Sequence, residues 1–161
     1  MLHVVAWPIL GEAHDTVLRR LRAQFHPSEA GLIGPHFTLV FGAPADRESS
    51  LRAALSGLAR RPFWFMIDRI ARSDLYLYAE PSDGAAELAE LYETLNPDGG
   101  PEPFRPHITL GLFRTSQEAE RVARIVERQH LPMHGRVEEL ALLRRDGGQA
   151  LETLATVGLE A

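Results

Sequence analysis

The chain reads as α+β: two pseudo-symmetric lobes of mostly antiparallel sheet, with flanking helices, around a central cleft. Three observations predict this. Apolar stripes of helical period alternate with short stretches of period two, several of them joined by hairpin-type turns. The order of elements is mixed, which favours antiparallel sheet over a run of parallel units. One arrangement also occurs twice: a Pro-His-apolar-Thr-Leu strand, preceded by a helix and followed by a helix and a strand pair.

In order, residues 2–10 give an apolar strand ending at Pro8. Val17, Leu18, Leu21 and Phe25 share one stripe and predict a helix over 12–25. A turn-rich link with Pro27, Gly31 and Gly34 leads to a strand at 36–41, closed by Gly42. Leu51, Leu55 and Leu58 predict a helix over 48–60, and Phe63, Phe65 and Ile67 a strand over 63–70. The turn Arg72-Ser73-Asp74 makes a hairpin with a strand at 75–79. A third helix spans 83–95 on Leu88, Leu91 and Leu95, and Asn96-Pro97-Asp98-Gly99-Gly100-Pro101 stops it. A strand at 107–113 follows, then a helix at 116–129 whose capping box is Thr115 and Glu118. Strands at 137–144 and 150–157, joined through Asp146-Gly147-Gly148, end the chain.

The repeated arrangement carries the chemistry. Alternate strand residues share a face, so His36 pairs with Thr38, and His107 with Thr109; Phe37, Leu39, Ile108 and Leu110 take the opposite faces. Pro35 and Pro106 lack an N–H and suit the mouth of a strand. A pseudo-twofold would set the two histidines facing each other. Imidazole titrates near neutrality, so two can divide general acid and general base work about one phosphodiester. One takes a proton from water and the other gives one to the leaving ribose oxygen. The threonine hydroxyls would hydrogen-bond the non-bridging oxygens as charge grows there. No metal or cofactor is needed. Which histidine is base depends on the direction of attack and stays open.

Composition narrows the partners. The net charge of −5, with all 17 cationic residues arginine, leaves no basic stripe for long nucleic acid. A small nucleotide or an RNA end is the expected partner. Cysteine is absent, which removes disulfides, thiolate nucleophiles and cysteine metal sites and fits a cytoplasmic protein. No apolar run is long enough for a membrane span, and the N-terminus reads as a strand. The 161 residues are expected to form one bilobal domain, monomeric because the cleft lies inside one chain.

The tetrads His36-Phe37-Thr38-Leu39 and His107-Ile108-Thr109-Leu110 resemble those of the 2H phosphoesterase superfamily, which includes the 2′-5′ RNA ligase-like and cyclic nucleotide phosphodiesterase proteins. The strand from Leu75 to Glu80 with its following helix, and the closing Val137–Gly158 strands, resemble the rest of that pattern. The resemblance implies a metal-independent phosphodiesterase acting on 2′,3′-cyclic phosphate or 2′-5′ linked nucleotide or RNA ends. The alternatives are a 2′-5′ RNA ligase, and a non-catalytic module binding a phosphate-bearing ligand or RNA terminus. Members that process RNA ends often carry a basic residue after the first tetrad, where this chain has Val40; after the second the nearest cation is Arg114. A nucleotide or short oligonucleotide therefore stays open as substrate.

Further candidates are Arg105 and Arg114 for phosphate, and Tyr76 and Tyr78, which share a strand face, for stacking a base. Phe104 and Trp7 are candidates to line the cleft. His3, His14, His26, His130 and His134 lack the threonine two positions on, and Pro132 between the last two speaks against a helical zinc pair.

Overall fold

Antiparallel pairing runs through the whole sheet of this computed structural model, which describes residues 1–100, 103–147 and 150–160. The strands are β1 (Leu2–Leu10), β2 (Phe37–Ala43), β3 (Phe63–Ser73), β4 (Tyr76–Pro81), β5 (Ile108–Leu112), β6 (Met133–Asp146) and β7 (Ala150–Gly158). The helices are α1 (Glu12–Phe25), α2 (Pro27–Ala30), α3 (Glu48–Ser56), α4 (Ala85–Leu95) and α5 (Ser116–Gln129). Of the expected turn residues, Pro101 and Gly148 lie outside the described residues.

Long β6 organises the sheet. One of its edges pairs with β1; the other serves β3 over Met133–Val137 and then β7 over Glu139–Asp146. Two four-stranded groups result, β2-β1-β6-β7 and β5-β4-β3-β6, meeting at the two motif strands. These are the two lobes. They are not, however, the two halves of the chain. The hairpin β3–β4 that follows the first motif strand joins the second motif strand, and β6–β7 returns to β1 beside the first. The helices cross over likewise: α1 packs on β5 and α5 on β3 and β4, while α4 packs on β2 and α3 on β6 and β7.

The outer faces of both lobes and their helices form one core, including Phe37, Leu39, Ile108, Leu110, Leu88, Leu91 and Val122. A smaller cluster of Val5, Ala141 and Leu143 lies apart from it, with Trp7, Ile33 and Leu151 packed against it.

Several expected boundaries move for local reasons. Helix α3 stops at Ser56 because Gly57 caps it, donating its N–H to Ala53 O. Helix α4 begins at Ala85 because Gly84 has φ +86, and a Cβ there would lie 2.6 Å from Phe65 Cβ. Strand β6 starts four residues earlier than the apolar pattern suggests, since fully buried Met133 pairs with Ile67. Helix α5 keeps its expected bounds, with Thr115 Oγ1 accepting from Glu118 N at 3.1 Å. It ends at Gln129, before Pro132, so His130 lies just past the helix and His134 on β6. The short helix α2 falls in the stretch read as a turn-rich link. No helix among the described residues is long and apolar enough to cross a membrane.

Candidate functional site

Strands β2 and β5 share a single backbone pair, Phe37 with Ile108, and then part. Both of these side chains are fully buried, so their neighbours in the chain turn the other way. Continuing that antiparallel register sets His36 across from Thr109 and Thr38 across from His107. All four are half-buried on one face. The twofold expected from the repeat therefore passes through the Phe37–Ile108 pair, and it brings the two His-x-Thr units together from residues 71 positions apart.

The two rings are held by the same device. His36 Nδ1 bonds Gly34 O at 2.8 Å and His107 Nδ1 bonds Arg105 O at 2.8 Å, each reaching back across its proline. A carbonyl can only accept, so each Nδ1 carries the hydrogen. Nε2 is then the nitrogen left for chemistry in both rings, a lone pair when neutral and a donor when charged.

Burial pushes the His36 imidazolium down to about 4; the Arg22 guanidinium and His107 push the same way, against Glu29 and the Gly34 carbonyl. His107 is also lowered by burial, with Glu80 and the Arg105 carbonyl opposing. Both rings are thus held toward the neutral form in the free protein. A bound phosphate anion would favour the charged form of either.

Aromatic rings border each histidine. Trp7 meets His36 edge-on with centroids 6.4 Å apart, and Tyr78 lies 4.3 Å from His107. Tyr76 stacks on Tyr78 at 5.9 Å, extending that wall. The other candidates are placed differently. Phe104 stacks on Tyr92 of α4 at 4.2 Å and serves packing, because the chain before His107 runs over that helix. Arg105 donates from Nε and Nη2 to both Glu80 oxygens, at 3.1 and 2.8 Å, so its fork is occupied by a carboxylate. Arg69 joins the same carboxylate at 3.0 Å, leaving a surplus positive charge beside His107. Arg114 is exposed beyond the opposite end of β5 and takes no part in this arrangement.

A family model described as the 2′-5′ RNA ligase superfamily matches residues 10–149. The chain belongs to that superfamily. Its fold is similar to that of Escherichia coli LigT solved with 3′-AMP: 19% identity, TM-score 0.68, over 99% of this chain and 98% of that one. It is similar to LigT solved with ATP at 21% identity and TM-score 0.66, again over 99% and 98%. Kluyveromyces marxianus Usb1 is more distant, at 10% identity and TM-score 0.55, over 95% and 97%. No curated protein sequence matches.

Two features of this superfamily member escaped the sequence reading. Arg22 of α1 is only 1% exposed; its Nη1 donates to Thr109 O and its Nη2 to Ile33 O, both at 2.8 Å. The available signal was a charged residue one helical turn after Leu18 on the buried stripe. The second feature is a groove that continues the cleft past His36 and Thr38 to His3, Phe41, Glu29 and Arg145. Gly42 N donates to His3 Nδ1 at 3.2 Å, so the Nε2 of His3 carries its hydrogen, and it has no partner among the described residues. The Glu29–Arg145 pair at 2.9 Å ties α2 over this groove.

Proposed function

We propose that this chain is a phosphodiesterase that hydrolyses 2′,3′-cyclic phosphates, or 2′-5′ linked nucleotide and RNA ends, by paired-histidine acid–base catalysis without a metal. The observation that carries the reading is the matched anchoring of the two rings, which leaves two Nε2 atoms as the free proton-transfer groups on one face. One Nε2 takes a proton from water as the water oxygen bonds to phosphorus. The bond to the 2′ or 3′ oxygen breaks, and that oxygen takes a proton from the other, charged, Nε2. Thr38 and Thr109 hydroxyls donate to the non-bridging oxygens. The cycle closes when the two rings exchange protons with solvent.

A nucleotide fits the surroundings. Tyr78 and Tyr76 form a stacking wall at one end of the cleft, and the groove toward Phe41 opens at the other. The nucleotides solved with LigT support a ligand of this size. The acidic balance of the chain and the single surplus cation beside His107 favour a short substrate over a long strand.

The test is incubation of the purified protein, in chelator, with the four nucleoside 2′,3′-cyclic monophosphates and with 2′-5′ linked dinucleotides, resolving 2′- from 3′-phosphate products. Turnover to one regioisomer should fall by about 10² to 10⁴ in each of His36→Ala and His107→Ala. Equal turnover by wild type and both variants would sink the mechanism. Tight binding of nucleotides with no product from any substrate would instead establish a binding module.

A further inference from the structure

The motif repeat builds the cleft twice, and the two copies are lined differently. Tyr78 of β4 stands across from Thr109, and Val5 of β1 holds the equivalent place across from Thr38. One step further along the same strand faces come Tyr76 and His3. The two phenol rings stack and fill their side of the cleft. Val5 is small, and on its side the groove opens, walled by Ile33, Leu143 and Leu151 with His3 in its lining.

His3 is a polar group of this lining that neither the fold nor the reaction uses. It is 9% exposed, its Nδ1 accepts from Gly42 N, and the hydrogen on Nε2 has no partner among the described residues. Burial holds the ring toward its neutral form, so Nε2 remains a donor. A buried donor without an acceptor costs stability, which an apolar residue such as Val5 beside it avoids. The charged groups of the groove, Glu29 and Arg145, are already engaged with each other. The Phe41 ring packs edge-on against the imidazole, centroids 5.1 Å apart, and is itself 82% exposed, so it is free to turn outward and uncover His3.

We propose that the groove is a second nucleoside site and that His3 is its specificity-determining residue, donating from Nε2 to an acceptor on the base. This rests on the phosphodiesterase reading and narrows its substrate to a linked dinucleotide or the last two residues of an oligonucleotide. The two ester substituents of a phosphodiester leave phosphorus in different directions. With the phosphate held between Thr38 and Thr109, one nucleoside lies along Tyr78 and Tyr76, and the other enters the groove past Val5. The tyrosine faces take the first base by stacking, whatever its edge. Apolar walls with one buried donor take the second by its acceptor. A nucleoside 2′,3′-cyclic phosphate carries a single base and uses only one of the two sides.

The test compares two substrates that share the same 2′-phosphodiester: 2′-5′ linked diuridylate, and uridine 2′-(methyl phosphate), in which a methyl group replaces the second nucleoside. Wild type should prefer the diuridylate in kcat/KM by about 10²-fold, since binding energy away from the reacting bond is spent on the transition state. His3→Phe keeps a ring and loses the donor, and should cut that preference by about 10-fold. His3→Gln, which keeps a donor, should retain most of it. Val5→Tyr, which copies Tyr78 into the groove, should abolish it. Equal kcat/KM for the two substrates in wild type overturns the proposal with no variant needed. So does a His3→Phe protein slowed equally on both, because a merely structural histidine would act that way. Should Val5→Tyr not fold, the wild-type and His3 comparisons still decide. Absence of turnover on these substrates and on the cyclic monophosphates would remove the phosphodiesterase reading. Calorimetric binding of intact diuridylate and of the methyl ester, in wild type and His3→Phe, reads the second site independently of turnover, and equal affinities would overturn it.

Discussion

Replacing His36 with glutamine should remove much of the acid lability of this protein. An imidazole in the unfolded chain titrates near 6.5, whereas burial pushes His36 in the fold down to about 4. The folded state therefore holds the neutral ring, and protons bind preferentially to the unfolded chain. Stability from this source is complete above pH 6.5 and is lost as pH falls toward the folded value of about 4. At about 1.4 kcal/mol per unit the gap sets a ceiling of about 3 kcal/mol. At pH 4.5, just above the folded value, about 2.5 kcal/mol of it would already be gone. The ring keeps an accessible edge on the cleft, so water recovers part of this. His107, His3 and His26 are pushed in the same direction by burial, and the wild-type loss exceeds the share of His36. Urea unfolding of wild type and His36→Gln at pH 7.5 and 4.5 checks the figure. The wild type should lose about 2 kcal/mol more than the variant between the two conditions. Parallel pH dependence in both proteins would refute the claim that the site holds a buried neutral imidazole.

Other perturbations probe the scaffold and the hydroxyls. Gly111→Ala places a Cβ 2.6 Å from Phe25 Cβ and 3.2 Å from Phe113 Cε2. It should lift α1 from β5, cost about 1–3 kcal/mol in thermal unfolding, and lower kcat along with the Arg22 tie. Asn96→Ala frees the Leu39 and Tyr92 carbonyls and should cost about 1–3 kcal/mol in urea unfolding. Thr109→Val should lower kcat by about 10²-fold with little change in KM, and Thr109→Ser should restore most of it. Thr115→Ala removes the acceptor for Glu118 N and should cost about 1 kcal/mol without altering kcat/KM.

The legible part of the site was local. Pro-His-apolar-Thr carries its own instructions: the proline stands at the mouth of the strand, and the period of the strand then sends histidine and threonine one way and the apolar pair the other. Phe37 and Ile108, both fully buried, show that period holding in the fold. Repetition of the unit supplied the twofold. The aromatic wall of Tyr76 and Tyr78 was legible for the same reason, since alternation sets both on one face. The partners of Arg105 and Phe104, Glu80 and Tyr92, are 25 and 12 residues away, and nothing local announces them.

What the sequence by itself determined was therefore everything that depends on neighbours along the chain: the helical stripes, the strand faces, the Thr115 cap and the two His-x-Thr units. Tertiary structure alone decided which strands lie side by side. Similar halves might each have closed on themselves, yet β3–β4 crosses to β5, β6–β7 crosses to β1, and α1 and α4 cross with them. Pairing of this kind is set by burial summed over the whole sheet, to which no short stretch holds the key. The crossing also carries Arg22 to Thr109 O, 87 residues away, where the arginine becomes a buried charge.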